Sequence, residues 1–169
     1  MLECDITARS VKLLYKSNVN NKTAKGKAKT HAEKLSEIAA EIKHILLLFP
    51  YAYPVQEDAL GMMTVIGGKN LYSAKTVQSL AKVVGLSEFI VYEMNHGEFD
   101  KIPPKQVKKL VAGSSTAEKE EVAAAVIPFV GEQDFACDDE SDAVAVGLAW
   151  LISNNYLDDP FAENTSPAT

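Results

Sequence analysis

The chain has 169 residues, a formal charge of −6 and an apolar fraction of 47%. That length predicts one domain with a core of its own. No apolar run approaches the roughly 18–20 residues of a membrane helix, and the N-terminus MLECDITARS lacks the basic and apolar stretches of a secretory signal. Cys4 and Cys137 are far apart and His31, His44 and His96 are scattered. No disulfide framework or zinc cluster is expected, and the usage fits a cytosolic protein.

Leu2 to Thr7 and Val11 to Tyr15 read as two short strands joined by a tight turn at Ala8–Arg9–Ser10. Residues 17–29 are polar and lysine-rich, a loop or a short solvated edge strand. Thr30 and Glu33 form a T-x-x-E capping box. Leu35, Ile38, Ala39, Ile42, Ile45 and Leu46 follow at helical spacing, which predicts a helix over 31–48, ended by Pro50. Residues 51–58 read as a strand ending in acids, weakened by Pro54, which cannot donate to a ladder. Gly61, Gly67 and Gly68 mark a flexible connection. Val77, Leu80, Ala81 and Val84 give another helical face from about residue 72, while 86–96 suits strand or helix.

Gly97 closes that element, and 98–102 reads as a short strand. Pro103–Pro104 opens a helix carrying Lys105, Lys108 and Lys109, broken at Gly113–Ser114. Ser115 and Glu118 form a second capping pattern, for a helix running to about 127 and ended by Pro128 and Gly131. The last helix starts near Asp139 and is apolar on almost every side, so it is expected to be deeply buried. Residues 157–169 are expected to form a disordered tail beyond a domain at 1–156. Strands, helix, strand, helix, strand and helices make an α/β pattern: a single mixed β-sheet flanked by helices, without internal repeats.

An acidic balance by itself argues against a nucleic-acid binder, because basic surface supplies most non-specific affinity. The distribution is more informative. Lysines crowd into 22–34 and 101–119, and acids into 132–142 and the C-terminal segment. Asp139 and Asp142, three apart, share a face at the start of the last helix. Acids there can simply complement the helix dipole. On a buried helix, however, the pair needs a cation or a lysine beside it. Asp5 sits among Leu2, Cys4 and Ile6, where it is either a turn-former or a functional acid. Glu57 and Asp58 compete for the strand end. Lys119 falls in the first turn of a helix, where a cation opposes the dipole.

The block from Pro103 to Leu151 resembles the C-terminal half of the RuvC-type Holliday junction resolvases, in their bacterial and phage forms. The pattern is P-x-x-V-K-K-x-x-x-G, a lysine eleven residues after the first, then D-x-x-D-A-x-A-x-A. Lys108, Gly113, Lys119, Asp139 and Asp142 stand at those spacings. D-x-T-x-x-S at Asp5, Thr7 and Ser10 is similar to the family's first strand and turn. The resemblance implies an RNase H-like fold and a two-metal nuclease, its Mg²⁺ ions (Mn²⁺ substituting) roughly 3.5–4 Å apart. Asp5, Glu57, Asp139 and Asp142 would be the metal ligands. Lys108 and Lys119 would act on the reacting phosphate, with Lys105 and Lys109 holding the DNA backbone.

Glu57 is the best match to the family's strand-end glutamate. Glu93, its rival, lies only fifteen residues before Lys108 and leaves no room for the intervening helix. On the resemblance, 86–96 is therefore assigned to a helix. The stretch after Glu57 is longer than the family's. The implied substrate is branched DNA, above all four-way junctions, cut by a homodimer paired through the helix near 73–84. The implied setting is bacterial cytoplasm, including that of a phage-infected host. The alternatives are a flap or fork nuclease or an RNA-trimming nuclease of the same fold, and a branched-DNA binder without catalysis. An actin-like ATPase would need two large lobes, for which this chain is too short.

Overall fold

The computed structural model describes residues 1–20, 22, 26–58 and 73–162. The glycine-marked connection at Gly61, Gly67 and Gly68 lies outside them. Strands β1 (Leu2–Asp5) and β2 (Ser10–Leu13) form an antiparallel hairpin, with Leu2 opposite Leu13 and Asp5 opposite Ser10. Its turn begins earlier than the sequence predicts. The Asp5 carboxylate accepts from the backbone amides of Thr7 and Ala8, both at 2.9 Å, and Arg9 takes the left-handed conformation at φ 48°. This side-chain-capped turn competes with further strand.

The second strand pair is β3 (Val55–Glu57) with β4 (Asp100–Ile102). The expected single mixed sheet is thus, among the described residues, two two-stranded sheets. Pro54 removes a backbone donor just before β3.

The chain groups into two compact units. The first comprises Met1–Asn18, Val55–Glu57 and the chain from Ile102 onward; the second, Val19–Pro54 and Asp58–Lys101. In the second unit, α1 (His31–Leu48) packs on α2 (Ala74–Glu93) around Leu46, Ile90 and Val91. The α1 boundaries match the periodicity, and the Thr30–Glu33 capping box is made in both directions, at 3.2 and 2.6 Å. Helix α2 runs through the ambiguous 86–93 stretch. Its β-like composition reflects Phe89 and Tyr92, which are exposed on the helix rather than placed in a sheet. Among the described residues of polar 17–29, Lys22 forms an antiparallel bridge with Ala28.

In the first unit, α3 (Pro104–Ala112) ends at Gly113, at φ 75°. Helix α4 (Lys119–Val130) is capped by Glu118 with Glu121, not by Ser115. Ser114 instead bonds Thr116, so the chain turns once more before the helix starts. Pro128 does not end α4. Its fixed φ suits a helix, the lost donor costs one bond near the terminus, and the helix closes at Gly131. Helix α5 (Asp138–Ser153) is the centre of this unit's core, with Ala145, Leu148 and Ala149 fully buried. It packs on α3, α4, β1 and β3.

Packing continues past residue 156, contrary to the expected tail. Leu157 is buried, and the Phe161 ring lies where a Cβ at Gly113 would stand, 2.9 Å from its Cε1. An apolar side chain at each of these two positions keeps the segment on the core. Residues 163–169 lie outside the described set.

Two stability measurements check these local assignments. Thr30→Ala removes one member of the α1 capping box and is expected to cost about 1 kcal/mol in urea unfolding. Gly113→Ala forces a Cβ into a left-handed turn, at roughly 1–2 kcal/mol, and also displaces the Phe161 ring. It is expected to destabilise the chain more than Thr30→Ala.

Candidate active site

The acids and lysines singled out in the sequence occupy different elements of the first unit. Glu57 ends β3; Asp139 and Asp142 lie in the first two turns of α5; Lys108 is on α3, and Lys119 opens α4. Electrostatics links them. The Glu57 carboxyl is pushed above its ordinary range by desolvation, with Asp142 adding to the shift and Lys108 opposing it. The Asp142 carboxyl is also raised. Desolvation comes first, then Lys119 pulling it back, then Asp139 and Asp138 raising it, with Lys108 lowering it. Asp142 and Lys108 thus act on Glu57, and Lys119, Asp139, Asp138 and Lys108 act on Asp142, so that acids raise these carboxyls and lysines partly compensate.

The lysines are held rather than free. Lys108 Nζ donates to the Ala117 carbonyl at 2.6 Å, which ties α3 to the turn before α4. Lys119 Nζ lies 3.6 Å from Asp138, in a solvent-exposed pair that contributes little to stability. Lys105 and Lys109 are exposed on α3. Glu93, the rival glutamate, ends a helix and pairs with Lys43 at 3.6 Å.

Asp5 does not join this group. It is exposed, its carboxylate caps its own turn, and it is not among the charges acting on Glu57 or Asp142. The hairpin contacts explain why. Leu2 packs at Gly147, the Cys4 thiol faces the Tyr156 carbonyl at 4.0 Å, and Arg9 pairs with Asp158 at 2.7 Å. Strand β1 thus runs toward the C-terminal end of α5, whereas Asp139 and Asp142 are at its start. Among the described residues, no three His, Cys, Asp or Glu side chains stand close enough to hold a metal ion as placed. The donor chemistry nevertheless suits a hard divalent cation: carboxylates only, two of them with ionisation disfavoured, which a cation would relieve.

A buried acid in the first turn of α5, with its partners Lys16 and Asn18, was not picked out from the sequence. Glu140 is 6% exposed, and its carboxylate accepts from Lys16 Nζ (3.0 Å), Asn18 Nδ2 (2.9 Å) and the Ala136 amide (3.0 Å). These bonds hold its carboxyl below the usual range, Lys16 contributing most, then Ala136 and Asn18. The signal was present. Glu140 lies four residues before Val144 and eight before Leu148, on the face of α5 that is buried.

The fold these elements make is RNase H-like, as in two solved structures. One is the Thermus thermophilus RuvC structure (TM-score 0.64, 20% identity, covering 86% of this chain and 79% of that one). The other is T. thermophilus RuvC in complex with Holliday junction substrate (TM-score 0.66, 21% identity, covering 88% and 82%). A family model described as crossover junction endodeoxyribonuclease RuvC matches residues 5–150. The chain belongs to the RuvC family. The Campylobacter lari crossover junction endodeoxyribonuclease RuvC is 42% identical over 78 residues, which cover 46% of this chain and 49% of that relative. The chain thus spans about half the length of the curated relatives it matches.

The raised carboxyls carry a sign. A group whose folded pKa exceeds its unfolded value stabilises while protonated and loses that contribution as pH rises through the folded value. The metal-free protein is therefore expected to gain thermal stability at pH 7 from Glu57→Gln or Asp142→Asn. The gain should shrink as pH falls toward the ordinary carboxyl range near about 4. Differential scanning calorimetry in chelator across that range checks it.

Proposed function

We propose that this chain is a metal-dependent endonuclease that cuts branched DNA, four-way junctions foremost, by hydrolysing a phosphodiester bond. The observation that carries the proposal is the packing of β3, α3 and α4 on α5 within one unit, since these elements bear Glu57, Lys108, Lys119, Asp139 and Asp142. Family membership and the junction held by a T. thermophilus structural neighbour support the substrate class.

Glu57, Asp139 and Asp142 would hold the cation, Mg²⁺ with Mn²⁺ as substitute, and on the family resemblance alone Asp5, which caps its own turn away from them, would be the fourth ligand. Held there, such an ion would supply Lewis acidity to the attacking water and positive charge beside the leaving oxygen. Water adds to phosphorus, the bond to the 3′ oxygen breaks, and that oxygen takes up a proton. Lys119, released from Asp138, meets a non-bridging phosphate oxygen and stabilises the charge that builds up there. Lys108 is anchored to the Ala117 carbonyl and keeps its ammonium at a fixed place beside Glu57 and Asp142. Lys105 and Lys109 bind neighbouring phosphates, a salt-sensitive contribution without sequence preference.

A junction offers two symmetric strands. The proposed assembly is a homodimer, with α2 as its pairing element, acting in a bacterial cytoplasm. A domain at 1–156 remains the proposed nuclease boundary, extended by the packed residues Leu157 and Phe161.

One observation favours a second reading. Asp5 caps its own turn toward the far end of α5, as it would in a branched-DNA binder without cleavage. Cleavage of a labelled four-way junction separates the two. Asp142→Asn is expected to abolish cutting in Mg²⁺ while leaving junction binding in chelator intact. Lys119→Ala is expected to lower kcat by about 10²-fold. A wild-type protein that binds junctions but shows no Mn²⁺ binding and no cleavage would make it a binder. Forks and flaps cut faster than junctions would move the substrate class. Asp5→Asn is expected to reduce cleavage as Asp142→Asn does; full activity in that variant would leave Asp5 as a turn residue.

A further inference from the structure

The start of α5 poses a local problem. Its N-cap, Cys137, makes no side-chain cap bond, and Asp138, Asp139 and Glu140 crowd the first turn. Three like charges there complement the dipole but repel one another. Asp138 and Asp139 are exposed to water, whereas Glu140 points the other way and is buried. A carboxylate buried to that degree is tolerated only when its oxygens are filled by donors.

Those donors come from two places. One is the Ala136 amide, in the turn just before the helix. The others are Lys16 and Asn18, on the chain leaving the β1–β2 hairpin. Being two residues apart, they fall on the same side of an extended chain. Lys16 also donates to the Asp134 carbonyl, and its ammonium lies 5.1 Å from the centre of the Phe135 ring. One lysine thus touches residues 134, 135 and 140, and Glu140 touches 16, 18 and 136. The segment before α5, the first turn of α5 and the exit of the hairpin are fastened at a single buried point.

We propose that Glu140, clamped by Lys16, Asn18 and the Ala136 amide, is a positioning residue that fixes the first turn of α5 and thereby the orientation of Asp139 and Asp142. The inference rests on the nuclease proposal for the role of those two aspartates. Rotation of the first turn would carry both carboxylates with it, because Asp139 and Asp142 flank Glu140 on the same helix. Glu140 touches neither substrate nor ion, and its effect is through its neighbours.

The full chain tests this with Glu140→Gln, Lys16→Met and Lys16→Arg. Calorimetric titration of Mn²⁺ without DNA, cleavage kinetics, junction binding in chelator and hydrogen exchange of the amides of residues 138–143 are read in parallel. Glu140→Gln and Lys16→Met are expected to weaken Mn²⁺ binding by about tenfold or more, lower kcat and speed exchange at 138–143. Junction affinity should hold, and Lys16→Arg should recover most of the loss. Variants that are folded and keep wild-type Mn²⁺ affinity and kcat would overturn the inference. So would losses that track only the unfolded fraction. Should Glu140→Gln fail to fold, Lys16→Met and Lys16→Arg carry the comparison, since both keep the lysine stem over Phe135. A wild-type protein that binds no Mn²⁺ counts against the nuclease proposal instead. Exchange at 138–143 then still decides whether the clamp orders the helix start, and unchanged exchange in Lys16→Met would refute it.

Discussion

Burial of α5 is the constraint on which the first unit depends. A helix enclosed by α3, α4 and both nearby strands loses water along nearly its whole length, and its side chains pay for that enclosure by being Val, Ala, Leu and Ile. Charge can enter only at the ends. The acids at its N-terminal end are therefore confined to one turn, where each must find water, a lysine or a buried donor. Asp138 takes Lys119, Glu140 takes Lys16, and Asp142 is left half-buried between opposing influences.

This division accounts for an apparent conflict in the composition. A chain of net charge −6 is a poor candidate for binding a polyanion if charge is averaged over its surface. Here the acids nearest the site are partly neutralised within the protein, while Lys105 and Lys109 on α3 remain exposed. What a phosphate meets is set by such local pairings more than by the total.

Helices were legible in the sequence because their signals are local and repeated. The α1 boundaries follow from a cap, a stripe of apolar side chains and a proline. Helix α5 was legible as buried because it lacks a polar face. Caps were less so. Ser115 has the preferred residue type, but Glu118 takes the role, since Ser114 and Thr116 satisfy each other first. Sheet pairing was least legible, because ladders between distant short strands leave no periodic trace. The site divides in the same way. Spacing within one stretch pointed to Lys108, Lys119, Asp139 and Asp142, and the three helices that carry them pack on one another. Asp5 depends on how the hairpin lies against α5, which Leu2, Cys4 and Arg9 decide through contacts about 145–152 residues away along the chain. Glu140 was hidden in an acidic run, where composition suggests solvent and only the helical phase shows otherwise.

The Phe161 ring seated at Gly113 has a practical side. Low-complexity, acid-rich ends are commonly trimmed when a protein is prepared for crystallisation, and residue 156 would be the natural cut on composition. Such a trim would uncover the loop between the two lysine-bearing helices and leave a hole where Leu157 was. Expression boundaries for this chain belong beyond residue 162.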